Sequence, residues 1–329
     1  MPALNPFPYF DGFTIGEPDG LGYESGVTRR DPSVVIEVDG SFHVWYSRNT
    51  GNQREAQTGF TASIYHAVSD DGHEWRELGE ALSKGDSGRW DACGVFTPTV
   101  YALNGRFWML YTAMPERWLE DPKTTKGAIG LAVADSVDGP WERFDEPAIR
   151  CGDDPDAFDS LRVDDACVVF REGRILTYYK GRAVNRPVGT TKMGLAIADR
   201  PEGPYIKQAE NPVLHSGHEV CVWPHGRGVG CLVANIGPEA HTPHSRPDGR
   251  SFEKVADTVP PKAPGPLRKD LSPGGADAAG EGITWGLAMT AEPDWPHLIR
   301  FDTDLRAASN AAAPDRPAPT GNPPSQAKP

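Results

Sequence analysis

A hairpin pattern that recurs along the chain constrains the fold more than any other feature of the sequence. Each copy has an apolar run that starts beside a polar or charged residue, a tight turn that contains glycine, and a second apolar run. The copies begin at Asp31, Thr97, Asp165 and, in the weakest case, His218-Glu219. Turns such as Asp39-Gly40 are typical of β-hairpins, because both residue types accept positive φ. The chain is therefore predicted to consist largely of repeated hairpins.

A second motif follows each hairpin and completes the repeat. It consists of another strand pattern, a turn with an acidic residue before glycine, and an aromatic residue that begins the next strand. The copies cover residues 66–75, 131–141, 195–205 and 245–252, and a degraded fifth unit covers 282–301. Four strands per unit and about five units predict an all-β chain, a five-bladed β-propeller with small antiparallel sheets arranged around an axis.

The segments outside the repeats suggest the domain organisation. Residues 1–27 are predicted to form an N-terminal arm or an added edge strand, and residues 28–303 the propeller catalytic domain. Residues 304–329 are predicted to be a disordered C-terminal tail, because so few apolar side chains cannot build a core. Residues 256–281 are rich in proline and glycine and weakly patterned, so they are treated as a long insertion without an assigned role.

Charge and cysteine usage exclude several functional classes. The chain has 329 residues and a formal net charge of -13, which argues against nucleic-acid partners and against anionic membrane surfaces. Such an acidic chain, rich in aromatic residues, suits a neutral sugar as its substrate. The five cysteines have no CxxC spacing, and Cys167, Cys221 and Cys231 lie in strand patterns, so buried thiols are expected.

The sequence has neither a signal peptide pattern at its start nor a run of 18 apolar residues. A cytoplasmic or periplasmic location is therefore expected, and a homodimer is left open. No cofactor is expected to be required. A divalent cation in the central channel, held by Asp164 and nearby oxygens, is also left open.

The repeat predicts where the chemistry lies, because the first strand of every propeller blade lines the central channel. Alignment of the hairpins on their turns brings Asp31, Thr97, Asp165 and either His218 or Glu219 to one place. Hydrolysis of a glycosidic bond requires a carboxylate as base or nucleophile and a proton donor for the leaving oxygen. The sequence therefore predicts a catalytic site formed by the carboxylates and the third ionisable group.

Each of these residues has a structural alternative. Asp31 could simply form a structural ion pair with Arg29 or Arg30. Adjacent aspartates such as Asp164-Asp165 could cap a turn, and Glu219 could be a solvated strand end. Their equivalent positions in the repeat favour a functional role. Successive strand residues point in opposite directions, so only one of His218 and Glu219 is expected to face the channel. Glu219 is the preferred acid, and His218 is its rival.

Further residues near these positions are candidates for substrate binding. Trp90 and the Phe96-Thr97 pair could form a wall on which a sugar stacks, although blade packing explains the aromatic residues equally well. Lys180 could donate a hydrogen bond to a sugar hydroxyl or pair with a carboxylate. The predicted substrate-binding set is Arg30, Trp90, Phe96, Thr97, Asp164, Tyr178 and Lys180.

The blade pattern and the segment Arg30-Asp31-Pro32-Ser33 resemble the five-bladed β-propeller glycoside hydrolases of families 43, 32 and 117. In family 43-like enzymes an Asp of blade one is the base, an Asp of blade three orients the substrate and tunes pKa, and a Glu of blade four is the acid. The resemblance assigns these roles to Asp31, Asp165 and Glu219, which match in type, order and blade. The family 32 signature Asn-Asp-Pro-Asn-Gly is not found, which disfavours fructan hydrolysis.

Three segments are similar to family 117 in particular: residues 27–33, residues 164–167 with 178–181, and residues 216–220. This resemblance implies an inverting, exo-acting α-1,3-(3,6-anhydro)-L-galactosidase that trims neoagaro-oligosaccharides from agar. The family also uses a His in the acid role, which keeps His218 as a candidate, whereas its N-terminal helical segment has no evident counterpart in residues 1–27. The alternatives are a family 43-type α-L-arabinofuranosidase or β-xylosidase, a non-catalytic carbohydrate-binding propeller, and a propeller phosphorylase with a basic phosphate pocket.

Overall fold

In the residues that the computed structural model describes, twenty β-strands, numbered β1–β20 along the chain, form five antiparallel sheets. The structure describes residues 12–51, 60–218, 220–226, 228–233, 237, 243–246, 248–254, 258–275, 282–292 and 294–306. Helix in these residues is limited to three short 3-10 turns, Glu116–Leu119, Val188–Thr190 and Lys269–Leu271. Within these ranges there is no helix of the length and apolar character needed to cross a membrane.

Each sheet is one blade. The last blade contains β1 (Phe13–Gly16), which pairs with β20 at the other end of the chain. Blade 1 contains β2 (Val27–Arg30), β3 (Ile36–Val38), β4 (Ser41–Thr50), β5 (Ser63–Ser69) and β6 (Arg76–Leu82). Blade 2 contains β7 (Gly94–Leu103), β8 (Arg106–Met114), β9 (Ala128–Ala134) and β10 (Glu142–Arg143).

The remaining blades follow in chain order. Blade 3 contains β11 (Arg162–Arg171), β12 (Arg174–Arg182), β13 (Lys192–Ala198) and β14 (Ile206–Lys207). Blade 4 contains β15 (Val220–His225), β16 (Gly228–Val233) and β17 (Pro243–Arg246). Blade 5 contains β18 (Lys262–Pro266), β19 (Ile283–Met289) and β20 (Leu298–Leu305), besides β1. The five sheets confirm the predicted all-β, five-bladed propeller.

Two contacts close the ring between its first and last blades. The edge strand β1 adds the N-terminal segment to blade 5, with Phe13 opposite Thr303. Between the inner strands, the Val35 amide donates to the Pro266 carbonyl at 2.9 Å, and the Arg268 amide donates to the Val35 carbonyl at 2.8 Å. Backbone hydrogen bonds therefore join blade 1 to blade 5.

The prediction for residues 256–281 was wrong in one respect, because this segment contains the innermost strand of blade 5. The strand β18 pairs with β19, so the fifth unit begins at Lys262 rather than at 282. Proline cannot donate to a sheet ladder and glycine has no side chain to pack, so Pro264-Gly265-Pro266 conceals the strand pattern. Gly265 is required there, since an added Cβ would lie 2.0 Å from the Ser33 carbonyl oxygen.

Arg268, two residues beyond the end of β18, links the inner strands of blades 3, 4 and 5. Only 1% of its surface is exposed. Its Nε and Nη2 atoms donate to the two carboxylate oxygens of Asp270, at 2.7 Å each, and its other bonds reach the Val222 and Val168 carbonyls of blades 4 and 3. A buried guanidinium requires such complete pairing, because an unpaired charge in the interior is strongly unfavourable.

The cysteine prediction is confirmed. None of the five cysteines forms a disulfide bond, and Cys167, Cys221 and Cys231 are buried in the strands where the apolar pattern places them. Burial also raises the pKa of Cys221 to about 12, which keeps this thiol protonated and unreactive.

Candidate active site

A backbone irregularity occurs at the equivalent point of the inner strand in four blades. Asp31, Thr97, Asp165 and Ala263 have φ values of 49°, 46°, 52° and 49°. Positive φ is uncommon for residues other than glycine, and a bulge of this kind re-aims a side chain at the rim of a sheet. The shared conformation supports the hairpin alignment, and it shows that blade 5 carries only a methyl group at this position.

Residues from all five blades line a cavity of about 60 Å³ on the propeller axis. Asp31, Thr97 and Asp165 lie in its wall, and Val220 and Ala263 complete the ring. A second cavity of about 90 Å³ shares Thr97 and Asp165 with the first. Its wall also contains the predicted residues Arg30, Phe96, Asp164, Lys180 and His218. Most of the predicted site residues therefore converge.

Asp31 is held by a single arginine. It is 7% exposed, and Arg30 donates from Nε to Oδ2 at 2.6 Å and from Nη2 to Oδ1 at 3.4 Å. Arg29 points the other way along β2 and pairs with Glu24 at 2.5 Å and Glu77 at 3.2 Å. Arg30 is thus the partner that orients the Asp31 carboxylate, and Arg29 has a structural role on the opposite face.

Asp164, Asp165 and Lys180 form a compact charged group. Lys180 Nζ lies 2.5 Å from Asp165 Oδ2 and 3.3 Å from Asp164 Oδ2. Burial raises the pKa of Asp164, and Lys180 only partly opposes this effect. For Lys180, burial works against the charged form, but the two carboxylates outweigh it and raise the pKa. The ammonium group therefore lies where a cation bound between the two carboxylates would lie.

Two hydroxyl groups that the sequence analysis missed support the bulges. Ser47 Oγ accepts a hydrogen bond from the Thr97 amide at 2.9 Å, and Thr112 Oγ1 accepts one from the Asp165 amide at 3.3 Å. In the strand register, Ser47 lies opposite Arg30 and Thr112 lies opposite Phe96, just as Lys180 lies opposite Asp164. Ser47, Thr112 and Lys180 therefore occupy the same position on the second strand of their blades. A search for polar residues at this repeat position would have found them.

His218 lines the second cavity and is half-buried. Burial lowers its pKa to about 2, and the nearby Lys180 charge adds to this effect. The imidazole is therefore neutral near pH 7 and is a poor proton donor. Glu219, the preferred acid, lies outside the described residues.

The structure does not bring Trp90 and Tyr178 into the cavity walls. Trp90 stacks on Tyr111 with ring centroids 6.1 Å apart, against Gly130, where an added Cβ would lie 2.6 Å from the indole. Blade 3 repeats this arrangement with Phe158 and Tyr179 at Gly194, which indicates that Trp90 packs the blade. Tyr178 is buried further along β12, where blade 4 covers it and its hydroxyl donates to the Gly249 carbonyl.

Comparisons with known proteins also point to a glycoside hydrolase. The family model described as glycosyl hydrolases family 43 matches residues 27–165. Zg3597, a family 117 glycoside hydrolase produced by the marine bacterium Zobellia galactanivorans, is 28% identical, with 92% of this chain and 93% of that chain covered and a TM-score of 0.80. The chain is a glycoside hydrolase. These findings confirm the predicted resemblance to family 117, among the propeller glycosidases related to family 43.

More distant structures share the fold alone with this hydrolase. A GH43_1 enzyme from Xanthomonas citri is 12% identical over 87% of this chain and 91% of its own, with a TM-score of 0.57. Fructan 1-exohydrolase IIa from Cichorium intybus is 13% identical over 87% of this chain and 57% of its own, with a TM-score of 0.60. No curated protein matches the chain.

The cavity of the hydrolase also contains residues that no sequence argument singled out. Phe60, Arg162, Arg182 and Thr191 complete the wall of the second cavity. Arg162 is two residues before Asp164 in β11, so strand alternation places both on one face. This spacing was a usable signal for Arg162, whereas Phe60 precedes β5 in a connection where no repeat guides the assignment.

A buried histidine pair lies apart from this site, in blade 1. His43 Nδ1 and His66 Nε2 are 3.0 Å apart, and His66 Nδ1 is 3.7 Å from Asp138 Oδ1. The three side chains are close enough to share one metal ion, with ligand atoms within 4.8 Å of one another. A hydrogen-bonded chain accounts for the same geometry, and Trp45 stacks on His66 with ring centroids 4.4 Å apart. We therefore assign this cluster a structural role.

The histidine pair predicts a pH dependence of stability. Burial lowers the pKa of His66 from 6.5 to about 3, with a smaller contribution from His43. The unfolded chain therefore binds a proton that the folded chain does not bind between pH 6.5 and 3, so stability falls as the pH falls through this window. Lowering the pH from 7 to 5 should remove about 2 kcal/mol through His66.

The variant His66→Leu isolates this contribution, because leucine occupies the equivalent positions 131 and 195 in blades 2 and 3. Urea unfolding of both proteins at pH 7 and pH 5 measures it. We expect the variant to lose less stability than the wild type over this interval. An identical loss in both proteins would refute the assignment.

Proposed function

We propose that the hydrolase is an inverting, exo-acting glycosidase that releases α-1,3-linked 3,6-anhydro-L-galactose from the non-reducing end of neoagaro-oligosaccharides. The observation that carries the proposal is the pair Asp31 and Asp165, set on equivalent bulges around one axial cavity. The 28% identity with a family 117 glycoside hydrolase over 92% of the chain supports the relation to that family, and the resemblance to family 117 implies this substrate class.

In this mechanism Asp31 is the base. A carboxylate in a fixed orientation can take a proton from the attacking water, and the two hydrogen bonds from Arg30 hold Asp31 in that orientation. Asp165, with Lys180, orients the sugar. Water attacks the anomeric carbon, its proton passes to Asp31, and the leaving oxygen takes a proton from the acid. The reaction requires water and two carboxyl groups but no cofactor.

We assign the acid role to Glu219 by its position in the repeat. His225 pairs with Gly228 at the end of its hairpin, as Arg171 pairs with Arg174 in blade 3. Six residues before Arg171 is Asp165, and six residues before His225 is Glu219. The low pKa of His218 also favours Glu219 over its neighbour, since a neutral imidazole at pH 7 is a poor proton donor.

Incubation with defined oligosaccharides tests the proposal. We expect neoagarobiose to be hydrolysed, and proton NMR in the first minutes to detect the sugar with the anomeric configuration opposite to that of the bond. A retained configuration would contradict the inverting mechanism, and no release of anhydrogalactose would contradict the substrate.

A second candidate is a family 43-type α-L-arabinofuranosidase or β-xylosidase. It is favoured by the family 43 match over residues 27–165, which include Asp31 and Asp165. Arabino- and xylo-oligosaccharides in the same incubation distinguish it, because only this candidate would release a pentose.

A further inference from the structure

A cleft of about 480 Å³ opens beside the catalytic cavities. It is formed by the β8–β9 and β12–β13 connections, by the paired ends of β11 and β12, and by the residue Phe60 before β5. Four basic residues line it together with two aromatic ones: Lys123, Arg162, Arg182, Arg186, Phe60 and Trp118. No acidic residue is among the described residues of its wall. Such a concentration of positive charge is unusual in a chain with a net charge of -13.

Two of these arginines are crowded against each other. Arg162 and Arg182 are direct partners across β11 and β12, a position at which like charges destabilise a sheet. The guanidinium of Arg182 donates to the Arg186 carbonyl, at 3.3–3.4 Å, and pairs with no carboxylate of the described part of the chain. The carboxylate that attracts Arg162 most strongly is that of Asp164, and Lys180 already pairs with it. An anion in the cleft would relieve this repulsion.

Two buried donors in the cleft wall have no acceptor. Arg162 is 5% exposed and Trp118 is 4% exposed, and among the described residues neither Arg162 Nε nor Trp118 Nε1 has a hydrogen-bond partner. Buried polar groups are normally paired, so each such group requires an explanation. Both atoms are donors, so each would be satisfied by an acceptor that reached it.

The cleft is continuous with the catalytic site. Phe60, Arg162 and Arg182 belong to the walls of both the cleft and the cavity that contains Asp165. Phe60 and Trp118, with ring centroids 4.6 Å apart, add apolar surface beside the arginines. In an exo-acting enzyme the terminal sugar fills the inner cavity, so the next sugar of the chain extends outward into such a cleft.

We propose that this cleft is a leaving-group subsite for a sugar with an anionic substituent, a sulfate ester or a carboxylate. The proposal rests on the exo-glycosidase function proposed above and extends it, since it makes a charged oligosaccharide the preferred substrate. Arginine binds both kinds of oxyanion through paired hydrogen bonds, which are stronger than those between neutral groups.

Calorimetric titration with monosaccharides tests the subsite without depending on hydrolysis. The probes are galactose, galactose 6-sulfate and galacturonate. We expect at least one charged sugar to bind at least tenfold more tightly than galactose at low salt, with the preference decreasing at high salt. The two charged probes distinguish a sulfate subsite from a carboxylate subsite.

Variants then locate the binding. The double variant Arg182→Gln/Arg186→Gln should lose this preference. The control variant Arg174→Gln, at the turn between β11 and β12, should retain it. Equal binding of all three sugars, or a preference unchanged in the double variant, would overturn the proposal. So would tighter binding of inorganic phosphate with phosphate-dependent turnover, which indicates a phosphorylase.

If neoagarobiose is cleaved but no charged sugar is preferred, only the subsite proposal fails. If a charged sugar binds but no anhydrogalactose is released, the substrate assignment fails.

Discussion

Replacing Asp31 with asparagine should lower kcat/KM by about 10³-fold or more on the true substrate. General base catalysis contributes roughly 10²–10⁴-fold to a rate, and an amide cannot accept the proton of the attacking water. Asparagine has nearly the same shape as aspartate and keeps an oxygen for one hydrogen bond from Arg30. The loss should therefore appear mainly in kcat, with the fold retained.

The measurement is steady-state kinetics of the wild type and Asp31→Asn, together with thermal unfolding of both. A matched control is Asp70→Asn, which changes an exposed carboxylate that bonds Ser41 at the far end of blade 1. It should leave kcat within about twofold, since surface substitutions rarely change more than local stability. An Asp31→Asn enzyme with near-normal kcat would remove Asp31 from the mechanism.

The second large effect concerns stability. Replacing Arg268 with methionine should destabilise the protein by about 3–5 kcal/mol, because it leaves the carboxylate of Asp270 without its partner in a buried position. It also removes the donors of the Val222 and Val168 carbonyls, which belong to two other blades. The melting temperature should fall by roughly 5–15 °C.

A double variant separates the lost ion pair from the lost packing. Arg268→Met/Asp270→Leu removes both charges, so it should be more stable than Arg268→Met alone. Differential scanning calorimetry of the three proteins provides the comparison. If Arg268→Met melts within 1 °C of the wild type, the guanidinium does not hold the inner strands together.

Part of the site was predictable because each blade repeats one local pattern. The turns at Asn104-Gly105 and Glu172-Gly173 set the register of their hairpins, and counting back from them reaches Thr97 and Asp165. The same rule failed for blade 5, where prolines replace the strand pattern of β18 and Ala263 carries no functional group at the bulge. A repeat is readable only where local propensities agree with it.

Two aromatic residues show a difference in location that the sequence does not indicate. Trp90 and Phe60 are both isolated aromatic residues in connections, and nothing local distinguishes them. In the structure Trp90 packs on Tyr111, whereas Phe60 lies in the walls of both the candidate active-site cavity and the basic cleft. The difference depends on which blade each connection approaches, a property of the closed ring and not of the neighbouring residues.

The sequence by itself determined the propeller, the order of its blades and the acidic residues that reach its axis, since turn chemistry and strand alternation are local properties. Only the tertiary structure decided that Arg30 and not Arg29 orients Asp31, and that Arg268 links the inner strands of three blades. It alone also brought four basic side chains into one cleft. These pairings join residues that are remote in the chain or that differ only in the face of a strand, and packing of the blades selects among them.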